Sequence, residues 1–351
     1  MASSTVTVSS DIDLGFAEEC EEWLLTNTYF PSKIGGRPAW LDLENLPMPD
    51  EIKCVKCGEC LVFLCQVYAS LELSDDCFHR TIYVFVCKSS ACWEVNCSKN
   101  VIAFRCQLPR VNKFYPFEPP ADDKHLLETK AIVNLCATCG CRGPFACSKC
   151  KGVFYCGASH QRLDWKNGHK QQCMTGNDCP KSSSTHLFPE FELVLESEES
   201  VEPVKETVEQ SESRRMKEYQ ELMQSGTVND MPDVTEGDLM PYAQNVEDEA
   251  FGKFKKRIAW NNDQVLRYNR AGEPLWISSK NTLSNEQVPS CEQCQSKRVF
   301  EFQIMPQMLN HLKDIGLDWG VINVYTCEKS CSSAGYIREF VYKQDIVQES
   351  Q

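Results

Sequence analysis

Eight residues able to ligate a metal fall in strict order between Cys136 and Cys173: Cys136-x2-Cys139, Cys147-x2-Cys150, Cys156-x3-His160 and His169-x3-Cys173. A tetrahedral zinc ion takes four nitrogen or sulfur donors, with sulfur at about 2.3 Å, and a two-residue gap on a tight turn lets two thiolates reach one ion. Four such pairs supply two zinc ions. Gly140, Gly152 and Gly157 relax the backbone beside these turns. Spacing alone does not order the pairs. A site closed by four protein donors has no open position for water, so this chemistry staples a fold and does not catalyse. No P-loop, Gly-x-Gly-x-x-Gly, Gly-x-Ser-x-Gly or His-Glu-x-x-His pattern accompanies it, and an enzyme is not expected.

A second cysteine pattern occurs twice, on either side of this stretch. Gly36-Arg-Pro-Ala-Trp-Leu41 is echoed by Gly272-Glu-Pro-Leu-Trp-Ile277, and Cys54-x2-Cys57 by Cys291-x2-Cys294. Phe63-Leu-Cys-Gln-Val-Tyr68 is echoed by Phe300-Glu-Phe-Gln-Ile-Met305, and Tyr83-Val-Phe-Val-Cys87 by Asn323-Val-Tyr-Thr-Cys327, each followed by a further cysteine, Cys92 or Cys331. Such self-similarity reads as two copies of one unit. The first copy holds surplus thiols (Cys60, Cys65, Cys77, Cys97 and Cys106) and His79, so spacing cannot choose its ligands, whereas the second has only four cysteines. If both copies bind zinc alike, one ion sits on Cys54, Cys57, Cys87 and Cys92, and another on Cys291, Cys294, Cys327 and Cys331. The surplus thiols are then expected as ordinary buried or surface side chains, and His79 as a hydrogen-bonded residue rather than a ligand.

The elements that must position these residues are mostly strands. Leu61 to Tyr68, Thr81 to Val86, Val101 to Gln107, the alternation Phe191, Leu193, Leu195, and Tyr336 to Tyr342 all read as strands. Leu14 to Leu25 reads as including a short amphipathic helix. Phe251, Phe254 and Ile258 set an apolar face on another helix, whose other faces carry Lys253, Lys255, Lys256 and Arg257. That basic cluster reads as a solvated face, or one that meets an acidic neighbour. The expected class is α+β, mainly β. It comprises a disordered tail over residues 1–13, an N-terminal zinc-stapled β repeat over 14–120, an inserted finger over 134–175 and a returning strand over 185–195. An acidic disordered linker over 196–246 and a C-terminal zinc-stapled β repeat over 247–347 complete the chain.

Cysteine is the compositional outlier, with 22 among 351 residues. Repeated C-x-x-C pairs, no basic-then-apolar leader at the start and no apolar run of membrane length point to reduced, metal-bound thiols in the cytoplasm and nucleus, with no membrane partner. The formal charge is −14, and Glu190 to Ala250, with 18 acidic and 4 basic residues, accounts for all of it. Such a balance disfavours direct DNA binding, which needs a basic face. A basic partner suits it better.

The central stretch resembles the MYND zinc finger through Phe154-Tyr155-Cys156, His160-Gln161, Asp164-Trp165 and Gly168-His169-Lys170-Gln171-Gln172-Cys173. That resemblance implies a cross-brace, with Cys136, Cys139, Cys156 and His160 on one zinc and Cys147, Cys150, His169 and Cys173 on the other. His160 stands where many MYND fingers have cysteine. The resemblance also implies a site for proline-containing peptides lined by Gln161 and Trp165, although so short a module also exists purely as a staple. Phe30-Pro-Ser-Lys-Ile-Gly-Gly-Arg-Pro-Ala-Trp-Leu41, Gln107-Leu-Pro-Arg-Val-Asn-Lys-Phe-Tyr115, Phe188-Pro-Glu-Phe-Glu192, Gln264-Val-Leu-Arg-Tyr268 and Glu301-Phe-Gln-Ile-Met-Pro-Gln307 extend the likeness. From about Leu14 to Ile346 the chain resembles the programmed cell death protein 2 family. This implies a non-enzymatic, dedicated chaperone of a newly made small-subunit ribosomal protein in ribosome biogenesis, with the client expected in a groove between the two repeats. The alternative is an adaptor whose finger recruits corepressor-like partners in transcription or apoptosis.

Overall fold

A computed structural model describes residues 12–121, 123–124, 129–175, 186–198, 248–332 and 334–346. Most of the expected tail (1–11) and of the expected acidic linker (199–246) lies outside the described residues, and the linker's first two residues, Glu196 and Ser197, end a strand instead. The apolar runs of the N-terminal half form β1 (Asp13–Glu18), β2 (Lys33–Ile34), β3 (Val62–Tyr68), β4 (His79–Val86) and β5 (Val101–Leu108). The finger contributes β6 (Phe145–Ala146), β7 (Phe154–Tyr155), α1 (Ala158–Asp164) and α2 (Lys170–Thr175), and the chain then returns through β8 (Phe191–Ser197). The C-terminal half holds α3 (Glu249–Ile258), β9 (Leu266–Tyr268), β10 (Arg298–Ile304), β11 (Val321–Cys327) and β12 (Tyr336–Gln344).

Among the described residues, all strands except the β6–β7 pair close one antiparallel barrel of ten strands, in the order β1-β8-β2-β3-β4-β5-β12-β11-β10-β9, with β9 returning to β1. The two halves meet at two ladders. One runs from Tyr336↔Cys106 to Glu339↔Ala103, the other from Asp13↔Tyr268 to Gly15↔Leu266. These hydrogen-bonded seams leave the barrel strands without a free edge, and a cleft of about 470 Å³ still lies between the halves, lined by Asn96, Lys99 and Ile102 from one and by Glu292, Arg338 and Phe340 from the other, among others. The same closure explains why Leu14 to Leu25 is not the expected helix. Asp13–Glu18 pairs with β8 on one side and β9 on the other, and only a 3-10 turn follows at Glu22–Leu25. Ladder bonding on both edges overrides the local periodicity.

Alternation divides the side chains between two environments. Ile82, Val84, Val86, Leu266, Phe302 and Val324 fill the barrel, while Phe63, Tyr83, Phe85 and Phe104 point outward under Trp40 and the finger. Matching irregularities occur in the two halves. β3 is bulged between Phe63 and Cys65 and β10 between Phe300 and Phe302. Gln66 Oε1 accepts from Ala39 N–H at 2.9 Å and Gln303 Oε1 from Leu275 N–H at 3.3 Å, so each buried glutamine ties down its own Gly-x-Pro-x-Trp loop. On α3, Phe254 packs with Ile277, Met305 and Val321. Two of its four basic residues are ion-paired, Lys253 with Glu249 at 2.8 Å and Arg257 with Glu198, which also meets Arg267, and Lys255 lies over the Phe251 ring.

β2 turns away from β8 at Gly35, whose φ of 66° places it in the left-handed region, and a Cβ there would stand 1.9 Å from Pro189 O. Its N–H donates to Leu64 O at 2.8 Å. Replacing Gly35 with alanine is expected to cost about 1–3 kcal/mol, read as a lower urea midpoint. An unchanged midpoint would show that this loop moves away without consequence.

Candidate metal centre

Four Cys-x2-Cys turns share one backbone design. The residue after the second cysteine has positive φ in each: Gly58 (74°), Gly140 (73°), Lys151 (59°) and Gln295 (60°). Its N–H donates to the carbonyl of the first cysteine (Cys54, Cys136, Cys147 or Cys291) at 2.8–3.0 Å. The first cysteine in turn donates its own N–H to the returning limb, at Glu59, Cys141, Val153 and Ser296. The two thiols of each turn are thus aimed in one direction before any metal is considered.

Zinc in a tetrahedron of sulfurs at about 2.3 Å holds its donors about 3.8 Å apart. In the N-terminal outer cluster Cys57 and Cys87 stand 3.7 Å apart. In the C-terminal cluster Cys291 meets Cys331 at 3.7 Å and Cys294 meets Cys327 at 3.5 Å. In the finger Cys147 meets Cys173 at 3.9 Å, and Cys150 lies 3.6 Å from His169 Nε2. The donor atoms of Cys54, Cys57, Cys87 and Cys92 lie within 4.8 Å of one another, as do those of Cys147, Cys150, His169 and Cys173, and those of Cys291, Cys294, Cys327 and Cys331. Donor type and spacing fit zinc, and zinc binding is what these clusters indicate.

In the finger's other cluster the donors that all lie within 4.8 Å of one another are those of Cys60, Cys139, Cys156 and His160, and the expected Cys136 stands beside that set rather than in it. His160 Nδ1 lies 3.0 Å from Cys156 Sγ and 3.7 Å from Cys136 Sγ, and Cys139 stands 3.8 Å from Cys156. Cys60, which the sequence places among the ordinary thiols, lies 3.9 Å from Cys156, and its sulfur is within 4.8 Å of the donors of Cys139, Cys156 and His160. No local pattern points to it, because its spacing from Cys54 and Cys57 associates it with the outer knuckle instead. On the far side of the imidazole, His160 Nε2 is 3.2 Å from His186 Nε2. Burial is the first cause that holds His186 down at about 4. A His160 that ligates through Nδ1 carries its proton on Nε2, which can then donate to His186 Nε2 and fix the ring's orientation.

Surrounding groups steady the clusters. Arg105 donates to Cys331 O at 3.1 Å and approaches Cys331 Sγ at 3.8 Å, a cation beside four thiols. Trp40 Nε1 donates to Gly140 O at 2.8 Å, its ring stacks near Phe85 at 5.9 Å, and Arg37 donates to Ala137 O. These contacts dock the finger on the outward aromatic face of the N-terminal half. Gln161 and Trp165 remain part-exposed at the finger's first helix, with the Trp165 ring 5.8 Å from that of His169. His79 is buried away from every cluster, with Nδ1 3.0 Å from Tyr68 Oη and its ring stacked on Phe30 at 4.3 Å.

These features define a class: a closed β-barrel protein carrying Cys/His zinc-binding clusters and a docked finger. Family models match in three places, "Programmed cell death protein 2, N-terminal domain" over residues 11–122, "MYND finger" over 136–173 and "Programmed cell death protein 2, C-terminal putative domain" over 248–345. The chain belongs to the programmed cell death protein 2 family. It is 44% identical over 348 residues to Programmed cell death protein 2 of Mus musculus, covering 95% of this chain and 96% of the relative. Programmed cell death protein 2-like of Homo sapiens is 28% identical, covering 86% and 85%. Probable 20S rRNA accumulation protein 4 of Schizosaccharomyces pombe is 26% identical, covering 88% and 91%. No solved structure matches the chain significantly. Among the described residues no helix is long and apolar enough to cross a membrane.

Proposed function

We propose that this chain is a non-enzymatic zinc protein of cytoplasm and nucleus that escorts a newly made, basic protein of the small ribosomal subunit. The observation that carries this reading is the near full-length likeness to a fission-yeast protein named for 20S rRNA accumulation. Two zinc ions serve the finger and one serves each outer cluster, in two copies of one unit; the matched bulges and glutamine ties support that duplication. The client lies in the larger cleft, of about 1110 Å³, between the segment after β1 and the finger, rather than in the smaller one between the halves; Glu21, Glu22, Trp23 and Leu135 line it among others, while Glu190 on its wall is already paired with Lys33. Exposed carboxylates beside an indole suit a basic chain with apolar side groups. Their charge speeds encounter but acts only within about 8 Å at physiological salt. A second reading, a finger-based adaptor for peptides, is favoured by the part-exposed Gln161 and Trp165.

Full-length protein recovered from cells at moderate salt separates the two, compared as wild type, Glu21→Lys/Glu22→Lys and Gln161→Ala/Trp165→Ala, with bound proteins identified by mass spectrometry. One stoichiometric ribosomal protein on the wild type, reduced about tenfold by the charge reversal and unchanged by the finger substitutions, is the expected result. Corepressor-like proteins lost only with the finger substitutions would replace the escort reading with the adaptor.

A further inference from the structure

Cys60 enters the finger's first cluster from the barrel half and not from the finger. It stands on the returning limb of the outer knuckle, where Lys53 and Cys60 form a bridge and Leu61 N–H donates to Ile52 O at 2.9 Å. Counting from Cys291 as from Cys54, the C-terminal half has Lys297 at this position, whose amine meets Glu328 at 3.2 Å on an exposed surface. One backbone position therefore carries a solvated cation where no finger sits and a thiol where the finger docks. Five donors surround the first finger site, the sulfurs of Cys60, Cys136, Cys139 and Cys156 and His160 Nδ1, and the buried Cys141 thiol stands beside Cys139. A closed tetrahedral zinc takes four. Cys139, Cys156 and His160 are completed by Cys60 in the set whose donors all lie within 4.8 Å of one another, and by Cys136 in the set expected from the finger's own residues, with Cys136 Sγ 3.7 Å from His160 Nδ1. Cys60 reaches Cys156 at 3.9 Å and Cys136 reaches His160 Nδ1 at 3.7 Å, both close to the donor separation of about 3.8 Å on one zinc.

We propose that Cys60 and Cys136 are interchangeable fourth ligands of the finger's first zinc, and that ligation by Cys60 clamps the finger to the barrel through the metal. The exchange balances without a redox partner: Cys60 gives up its thiol proton and binds, Cys136 leaves and takes a proton, and the ion keeps three thiolates and one imidazole. With Cys136 bound, the finger closes on its own ligands. With Cys60 bound, the finger and the outer knuckle share one turn of backbone, so the two metal sites become a single mechanical unit. The proposal goes beyond the escort reading and requires only that the finger binds zinc.

The test is zinc content per chain, by elemental analysis after exhaustive dialysis, of the full-length wild type and of Cys60→Ser, Cys136→Ser, Cys139→Ser and Cys60→Ser/Cys136→Ser proteins. Cobalt substituted for zinc adds a second readout through its thiolate charge-transfer band. Cys60→Ser and Cys136→Ser are each expected to keep the full wild-type zinc content and band intensity. Cys139→Ser, which breaks both sets, and the double variant are each expected to lose at least one equivalent. If Cys136→Ser loses zinc as Cys139→Ser does, whether from one site or from an unfolded finger, Cys60 is no ligand and the proposal fails. Retention of all zinc by the double variant would overturn it equally, because another donor would then complete the set.

Discussion

Arg80→Leu is expected to destabilise the barrel by about 3–5 kcal/mol, because it leaves a buried carboxylate without its main partner. Arg80 on β4 and Glu301 on β10 are both fully buried and meet through two parallel bonds of 2.7 and 2.9 Å. The guanidinium also donates to Ser330 Oγ at 3.0 Å and Ala69 O at 3.1 Å, and Tyr268 Oη donates to Glu301 at 2.8 Å. The pair therefore joins the two halves across the barrel interior. Burial alone would raise the Glu301 carboxyl, but the Arg80 charge and its hydrogen bonds outweigh burial and hold it at about 2. That lies below the unfolded value of about 4.3, so the stability due to ionised Glu301 is fully present above that value and is lost as pH falls toward about 2. Urea unfolding at fixed zinc should show the loss at neutral pH. Acid unfolding of Arg80→Leu should begin at higher pH than in the wild type. Arg80→Leu/Glu301→Leu should recover part of the loss, since neither member of the pair is then stranded, while Arg270, whose Nε lies 3.3 Å from Glu301, loses that carboxylate. A double variant as weak as the single one would show that the bond network itself, rather than the stranded charge, sets the cost.

Trp40→Ala is expected to cost about 3–5 kcal/mol, concentrated at the contact between finger and barrel. Trp40 is 2% exposed, sits 5.2 Å from the Tyr83 ring and 5.0 Å from the Tyr336 ring, and donates to Gly140 beside the first finger cluster. Its removal leaves a cavity and an unpaired carbonyl at once. Hydrogen exchange across residues 136–160 should accelerate more than exchange across β10 and β11. Trp276 occupies the matching position in the C-terminal half but is only partly buried, with Tyr342 at 6.1 Å as its ring partner. Trp276→Ala should therefore cost less, about 1–2 kcal/mol. Equal losses from the two substitutions would show that finger docking adds nothing to Trp40.

Much of this protein was legible in short stretches of its sequence, for local reasons. Alternating apolar residues at Tyr336 to Tyr342 or Val101 to Gln107 mark strands because side chains alternate along extended backbone wherever the strand lies. Cys-x2-Cys marks a metal turn because the two thiols and the backbone bend that aims them lie within a few residues, as at Cys291 and Cys294. Phe251, Phe254 and Ile258 placed a helix by the same kind of local rule.

The tertiary structure alone decided what depends on partners distant in sequence. Asp13–Glu18 became a strand because β8 and β9, far along the chain, offered hydrogen bonds on both edges. Arg80 and Glu301 look like ordinary charged residues until closure of the barrel brings them together in its interior. Cys60 was one surplus thiol among five until the docked finger placed Cys156 beside it. In each case the sequence determined the chemistry that a residue carries, while the neighbours that give it a role were chosen by chain closure, which no local pattern encodes.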